Sequence, residues 1–307
     1  VSLNVKTPEI AEAVLPDPLD LIPTWPSDRP FAVLMLGLDK RPGENSGRTD
    51  AMILTRVEPA NNSAAMISIP RDLCVANCRT EPYRINTVLL HEGPDALRQR
   101  IGSLMGLQVE YWIVLDFDGF RRLVDFFGGV DVDVSTTIYD SYYPNESDTG
   151  FDPLYVEAGL NRFDGDMALR YARSRHQDGT FARDKRQQQI LLALRDQVLT
   201  PRTLVQSPAF LQQLSNTFQT NVPLEIFPSM AKLAFAVDSR RVVQGAVELA
   251  RGMTYAVIAE NGAYVLEPNV PLIQAYAANL IRQGESLPAQ EKIEAAPELA
   301  DRQHLEP

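Results

Sequence analysis

Cysteine and histidine are nearly missing from this 307-residue chain, with 2 of the first and 3 of the second. A zinc site built on Cys and His ligands is therefore disfavoured, because Cys74 and Cys78 have only His91, His176 and His304 to join them. Long apolar runs are missing too. Nothing approaches the roughly 18 residues of a membrane-spanning helix, and Val1 does not open a charged-then-apolar signal segment. Cations are in deficit, 29 Lys+Arg against 40 Asp+Glu for a net charge of -11, which argues against bulk attraction to nucleic acid and leaves only locally built anion sites. Three catalytic signatures are also absent: the Walker phosphate loop, Gly-x-Ser-x-Gly and His-Glu-x-x-His.

What is present suits one large core or two modest ones, at 45% hydrophobic and 22% charged. Residues 1–30 are rich in proline and read as an extended linker, and residues 284–307 are polar and charged and read as a disordered tail, leaving 31–283 as the folded domain. Cys74 and Cys78 lie four residues apart in a loop; a small disulfide is favoured over two free thiols, and either over a metal site.

Hydrophobic patterning places the elements. "FAVLMLGL" after Pro30 is a continuous apolar run suited to a central strand buried on both faces. "AMILTRV" and "SAAMISI" flank the turn-forming "EPANN" and predict a hairpin. "PDALRQRIGSLMG" carries helix start and stop signals, "VEYWIVLDF" returns as strand, "DGFRRLVDFFGG" is helical and "VDVDV" alternates as a half-exposed strand. Residues 141–155 read as a loop, "DGDMALRYARSR" as helix, and the stretch from Lys185 to before Pro201 as an amphipathic helix. "PSMAKLAFAV" and "PLIQAYAANLI" predict further helices, with "RVVQGAV" and "AYVLEP" as strands. Interleaved strands and helices give an α/β layer structure.

Three clusters bear chemistry. In "GLDKRPGENSGRTD", Asp39 ends the first strand and Asp50 precedes the second, so neighbouring strands would bring both carboxylates to one sheet end; magnesium suits such a pair, and ordinary loop chemistry explains it equally. In "SIPRDL", Pro70 stiffens the chain before Arg71 and Asp72, either an aimed arginine fork or a surface pair. In "YARSRHQDGTFARDKRQQQ", Arg173 and Arg175 lie about 200° apart on a continuous helix, so both face one ligand only if the helix ends between them. A bend at "HQDGT" would return Arg183 and Arg186 beside them as a pyrophosphate clamp; a solvated helix start fits the local residues as well.

Taken in order, "LGLDKR", "GRTDAMILTRV", "SIPRDL", "RIN", "LVDFFGGVDVDV", "LNRFDGDMALRYARSRH" and "ARDKRQQQILLAL" resemble the LytR-CpsA-Psr family of cell-envelope proteins, from about Phe31 to Leu199, with the remainder to about Ile281 compatible. The resemblance implies an α/β/α sandwich, a central mixed sheet flanked by helices, enclosing an apolar pocket for a polyprenyl tail. It implies a phosphotransferase that moves a glycopolymer from a polyprenyl pyrophosphate carrier to peptidoglycan, forming a phosphodiester with magnesium. It also implies the outer face of the cell membrane, with a single N-terminal anchor upstream of the residues given. Carried over by position, Asp39 and Asp50 hold magnesium and Arg48, Arg71, Arg173, Arg175 and Arg183 bind pyrophosphate, with Asp39, Asp50, Arg71 and Arg173 catalytic. One departure stands out: an acidic residue commonly precedes the last arginine, where this chain has Thr180. A polyprenyl-phosphate-binding module without turnover, or a polyprenyl pyrophosphate hydrolase, would use the same residues.

Overall fold

A computed structural model describes residues 22–40, 47–145, 149–175, 179–198 and 218–286. The apolar run after Pro30 is β1 (Phe31–Asp39), and the predicted hairpin is β2 (Arg48–Glu58) with β3 (Ser63–Ser68), turning at Asn62 in the left-handed conformation. β4 (Cys74–Ala76) and β5 (Tyr83–Arg84) form a small pair closed by the Cys74–Cys78 disulfide, Cα atoms 5.6 Å apart. Helices α1 (Val88–Glu92) and α2 (Pro94–Met105) follow, α2 starting at a proline and stopping at left-handed Gly106. Then come β6 (Tyr111–Asp116), α3 (Phe117–Phe126), capped by the Asp116 carboxylate, and β7 (Val130–Val134).

β1 is central. The six-stranded sheet has β6 parallel on one side of it and β2 antiparallel on the other, then β3, then β12 (Val242–Ala246) parallel to β3, with β11 (Phe218–Thr220) outside β6. Alternate residues of the central strands serve opposite layers. Leu34, Leu36, Met52, Leu54 and Ile67 pack with Leu97 and Ile101 of α2 and with Ile273 and Ala277 of α7 (Val270–Ser286). Each fully buried leucine there contributes roughly 1.5–3 kcal/mol. Phe31, Val33 and Met35 face the other way, toward Met230 and Leu233 of α6 (Phe227–Ala236). The result is the expected α/β/α sandwich with a mixed sheet.

A second core, made by Val124, Val130, Val132, Ile138, Leu154, Phe163 and Ile190, joins α3 and β7 to β8 (Ile138–Asp140), β9 (Leu154–Val156), β10 (Gly159–Phe163), α4 (Gly165–Arg173) and α5 (Gly179–Val198). α4 crosses α3 so closely that a Cβ on Gly165 would lie 2.3 Å from the Arg121 carbonyl oxygen, while the Gly165 amide donates to Asp125 Oδ1 at 2.7 Å. That contact fixes where the C-terminus of α4 points. The hairpin of β13 (Thr254–Ile258) and β14 (Tyr264–Pro268) docks beside the disulfide through Leu266 N to Asp72 O, 2.9 Å, and Arg79 to Glu267, 2.6 Å.

Two expectations change. Residues 141–155 are not all loop: β8 pairs with β9 in the register Tyr139 to Tyr155, and Pro144 bridges Phe151, because alternating Ile138, Asp140, Leu154 and Val156 supply a buried face. The second helix begins at Gly179 rather than Lys185, so Arg183 is helical. Residues 22–30 carry no helix or strand, yet Ile22 is buried, its carbonyl accepts from Lys232 Nζ at 2.9 Å, and Trp25 stacks on Phe31 with ring centroids 4.5 Å apart. The earlier part of the linker and the tail beyond Ser286 lie outside the described residues. Among the described residues no helix is long and apolar enough to cross a membrane.

Candidate active site

β1 and β2 deliver the two carboxylates. Asp39 is the last residue of β1, opposite Arg48, and the register slips between Gly37, which faces Ala51, and Leu38, which faces Thr49. Asp50 is therefore the extra residue of a bulge, and a bulge re-aims its side chain off the regular ladder. Arg71 follows buried Pro70 where the chain leaves β3, and its Nη1 donates to Asp50 Oδ2 at 2.6 Å while Nε stands 3.7 Å from Asp72.

α4 delivers the next pair. It ends at Arg173, and Ser174 turns the chain out of the helix at φ -57°, ψ 137°, so Arg173 and Arg175 are freed from helical spacing and both line one cleft. Asp140, buried at the end of β8, holds that turn: its Oδ2 accepts from Ser174 Oγ at 2.9 Å and Arg175 N at 3.3 Å, and its Oδ1 accepts from Tyr142 N. Arg173 lies over the Phe117 ring, 4.5 Å from its centroid, with Nη2 3.8 Å from Asp39 Oδ2. Arg175 is exposed as a residue, but its guanidinium reaches into the cleft, where desolvation and then the Arg71 and Arg183 charges lower its pKa.

Arg183 comes from α5 and is buried; its Nη2 is 3.4 Å from Asp184 and its Nε has no hydrogen-bond partner among the described residues. The cleft these groups line has a volume of about 360 Å³ and sets four arginines, Arg71, Arg173, Arg175 and Arg183, against the carboxylates of Asp39, Asp50 and Asp140. In a chain of net charge -11 this is a local positive site built for an anion. Burial raises the pKa of Tyr143, another lining residue, despite the opposing Arg173 and Arg170 charges, which keeps its hydroxyl protonated.

Asp184 behind Arg183 is pushed up to about 6 from 3.8, chiefly by burial, with Glu248 adding to the rise and Arg183 and Arg186 opposing it. The folded chain thus holds a proton that the unfolded chain releases. Stability is expected to fall as pH climbs between 3.8 and about 6, and Asp184→Asn should flatten that slope in urea midpoints taken across the window.

The same face of the sheet carries an apolar cavity of about 310 Å³ between β1, β2, α3, α5 and α6, lined by Val33, Met35, Val57, Leu191, Met230 and Ala234 among others. Met35 and Asp39 lie on one side of β1, roughly 13 Å apart at strand rise. Cavity and cleft are therefore consecutive along one strand.

Among the expected residues, Asp39, Asp50, Arg71, Arg173, Arg175 and Arg183 are brought together, and Arg48 is not: it is exposed at the start of β2 and does not line the cleft. Arg84 of the "RIN" segment does not line the cleft: it donates to Tyr264 O at 2.8 Å, and its Nε stands 4.0 Å from Asp72, the carboxylate beside Arg71. Thr180 sits in the first turn of α5. Sequence reasoning missed Asp140, Tyr143, Phe117 and Gln187, for which no local motif signalled a role.

The model of the LytR_cpsA_psr family matches residues 8–281. The chain belongs to that family. Among curated LytR_cpsA_psr relatives, the polyisoprenyl-teichoic acid–peptidoglycan teichoic acid transferase TagV of Bacillus subtilis is 28% identical over 220 residues, 70% of this chain and 55% of TagV. The corresponding transferase TagU of Halalkalibacterium halodurans is 30% identical over 204 residues, 64% of this chain and 62% of TagU. The chain thus spans between 55% and 62% of the length of these two relatives. The crystal structure of B. subtilis TagV superposes with a TM-score of 0.67 at 24% identity, covering 85% of this chain and 100% of that one. TagT bound to LI-WTA gives 0.64 at 22%, covering 87% and 95%. At these identities the superpositions establish the LytR_cpsA_psr fold.

Proposed function

We propose that this protein is a magnesium-assisted phosphotransferase that moves a glycopolymer from a polyprenyl pyrophosphate carrier to peptidoglycan at the outer face of the cell membrane, held there by an anchor preceding the residues given. The observation that carries the reading is the pairing of an arginine-lined cleft with an apolar cavity on one sheet face. A pyrophosphate with a long hydrocarbon tail needs both. The transferase names of TagV and TagU agree with it.

Among the described residues no group of three or more His, Cys, Asp or Glu is placed to hold a metal. Magnesium rarely needs such a group, since one or two carboxylates complete its shell with phosphate oxygens and water, and Asp39 and Asp50 at the cleft floor fit that demand. When bound there, it would neutralise charge on the pyrophosphate. The chain's own residues do the rest. Arg71, Arg173, Arg175 and Arg183 bind the non-bridging oxygens and fix the glycan-bearing phosphorus for in-line attack. An acceptor sugar hydroxyl forms the new P–O bond as the bond to the bridging oxygen breaks; polyprenyl phosphate departs, its developing charge met by the arginines, and a cleft carboxylate takes the hydroxyl proton.

Purified protein incubated with a polyprenyl-pyrophosphoryl oligosaccharide and peptidoglycan fragments should yield a glycan–muropeptide phosphodiester by mass spectrometry. The yield should depend on magnesium and collapse in Ala234→Trp, which fills the apolar cavity. Free glycan phosphate without the conjugate would identify a hydrolase, tight lipid binding without either product a binding module, and no lipid binding would sink all three.

A further inference from the structure

Ile258 and Tyr264 stand directly opposite each other in the β13–β14 register, with 67% and 45% of their surfaces exposed. Cross-strand partners share one face of the pair, so the two side chains lie side by side. Water contact on them is unfavourable, and neither lines the arginine cleft or the apolar cavity. The tip that carries them is built. Ala259 N donates to Ala263 O at 2.9 Å, Ala263 N to Asn261 Oδ1 at 3.0 Å, and Glu260 N to Arg79 O at 2.9 Å.

Arg84 ties this hairpin to the cleft. It donates to Tyr264 O at 2.8 Å, its Nε stands 4.0 Å from Asp72 Oδ1, and Asp72 Oδ2 is 3.7 Å from Arg71 Nε. The chain that leaves β3 sets the order of the three features: Ala64 and Met66 line the cavity, Arg71 lines the cleft, and Asp72 and Leu73 meet Leu266 of β14. The hairpin therefore lies past the cleft, on the side away from the cavity.

We infer that the Ile258–Tyr264 face docks the glycan strand of the peptidoglycan acceptor. This rests on the phosphotransferase reading of the cleft and names where its second substrate sits. In-line displacement places the attacking hydroxyl opposite the departing group. Polyprenyl phosphate departs toward the cavity, so the acceptor approaches from the hairpin side. A pyranose presents an apolar C–H face to a ring and its hydroxyls to polar neighbours, which exposed Glu260 and Asn261 supply at the same tip. Two side chains ringed by polar residues fall far short of the roughly 1,000 Å² that a stable protein partner buries, so the patch fits a sugar strand and not a second copy of this chain.

A soluble peptidoglycan disaccharide-peptide tests this on the purified full chain, through its KM in the transfer assay and by direct titration. Ile258→Ser/Tyr264→Ala should raise that KM and weaken direct binding about tenfold, with affinity for polyprenyl pyrophosphate held within twofold. Both side chains are exposed, so the fold should survive the change, and donor affinity reports that it has. Tyr264→Phe should keep the wild-type KM, which separates stacking from hydrogen bonding by the hydroxyl. An unchanged acceptor KM in the double variant overturns the docking surface and leaves the phosphotransferase reading standing. An equal loss of donor affinity also overturns it, because the hairpin would then shape the cleft, as does a wild-type dimer in sedimentation that the double variant abolishes. A wild type that binds the disaccharide-peptide at this face but never the lipid removes the phosphotransferase reading and keeps the surface.

Discussion

Arg173→Ala is expected to lower glycan transfer by about 10²–10³-fold, the usual loss when one preorganised donor to developing charge is removed. The protein should otherwise stay folded. Among the described residues Arg173 has one long ionic contact, 3.8 Å to Asp39, a side-chain hydrogen bond with Tyr143 and the Phe117 ring beneath it, with 28% of its side chain exposed. Few native contacts are therefore lost with it. Arg71 differs, since it is already committed to Asp50 at 2.6 Å and its removal also releases a carboxylate. Arg173→Lys should recover only part of the rate, because an ammonium keeps the charge but not the planar fork. Steady-state kinetics with the lipid donor decide the matter. A KM increase with unchanged kcat would make Arg173 a ground-state anchor and sink its role at the transferring phosphorus.

The layers of the fold were legible because they rest on short-range patterns. β1 is bracketed by Pro30 and Asp39, the β2–β3 hairpin by its turn residues, and α2 by Pro94 and Gly106. The cleft was legible where charge and a strand end coincide, as at Asp39 and Arg71, or where spaced motifs resembled a family. Other features depend on pairing partners that composition does not specify. The bulge at Asp50 is a one-residue slip between β1 and β2, and it separates Asp50 in the cleft from Arg48 outside it, though the two stand side by side in "GRTD". Asp140 reads as one acid among several in a polar stretch, and becomes a buried acceptor only when β8 meets the end of α4. The apolar cavity draws a few residues each from elements that span β1 to β12, so its enclosure depends on how they pack and not on any one run.

Arg186→Met should cost about 3 kcal/mol of stability, seen as a lower denaturant midpoint, because two buried charged hydrogen bonds are lost together. Unlike Arg173, this cation is buried and faces away from the cleft. Its Nε donates to Tyr171 O at 3.1 Å and its Nη2 to Ser174 O, while neighbouring Gln187 donates to Ala172 O at 3.4 Å. These are carbonyls at the C-terminus of α4, which the helix cannot satisfy and whose negative dipole end a cation complements. Gln188 continues the tie, donating to Ser68 Oγ and Gly245 O, and Gln189 bonds to both Tyr171 and Asp133. The cations crowded between Tyr171 and Gln189 thus divide their labour: Arg173, Arg175 and Arg183 enter the cleft, and Arg186 fastens the helix ends that aim them. Methionine preserves much of the buried volume, so the loss should reflect the orphaned carbonyls rather than a cavity. Transfer activity should fall as well, since the turn at Ser174 loses the hydrogen bond from Arg186 that supports it alongside Asp140. Full stability in Arg186→Met, or full activity in a destabilised one, would break the link between this fastening and the clamp.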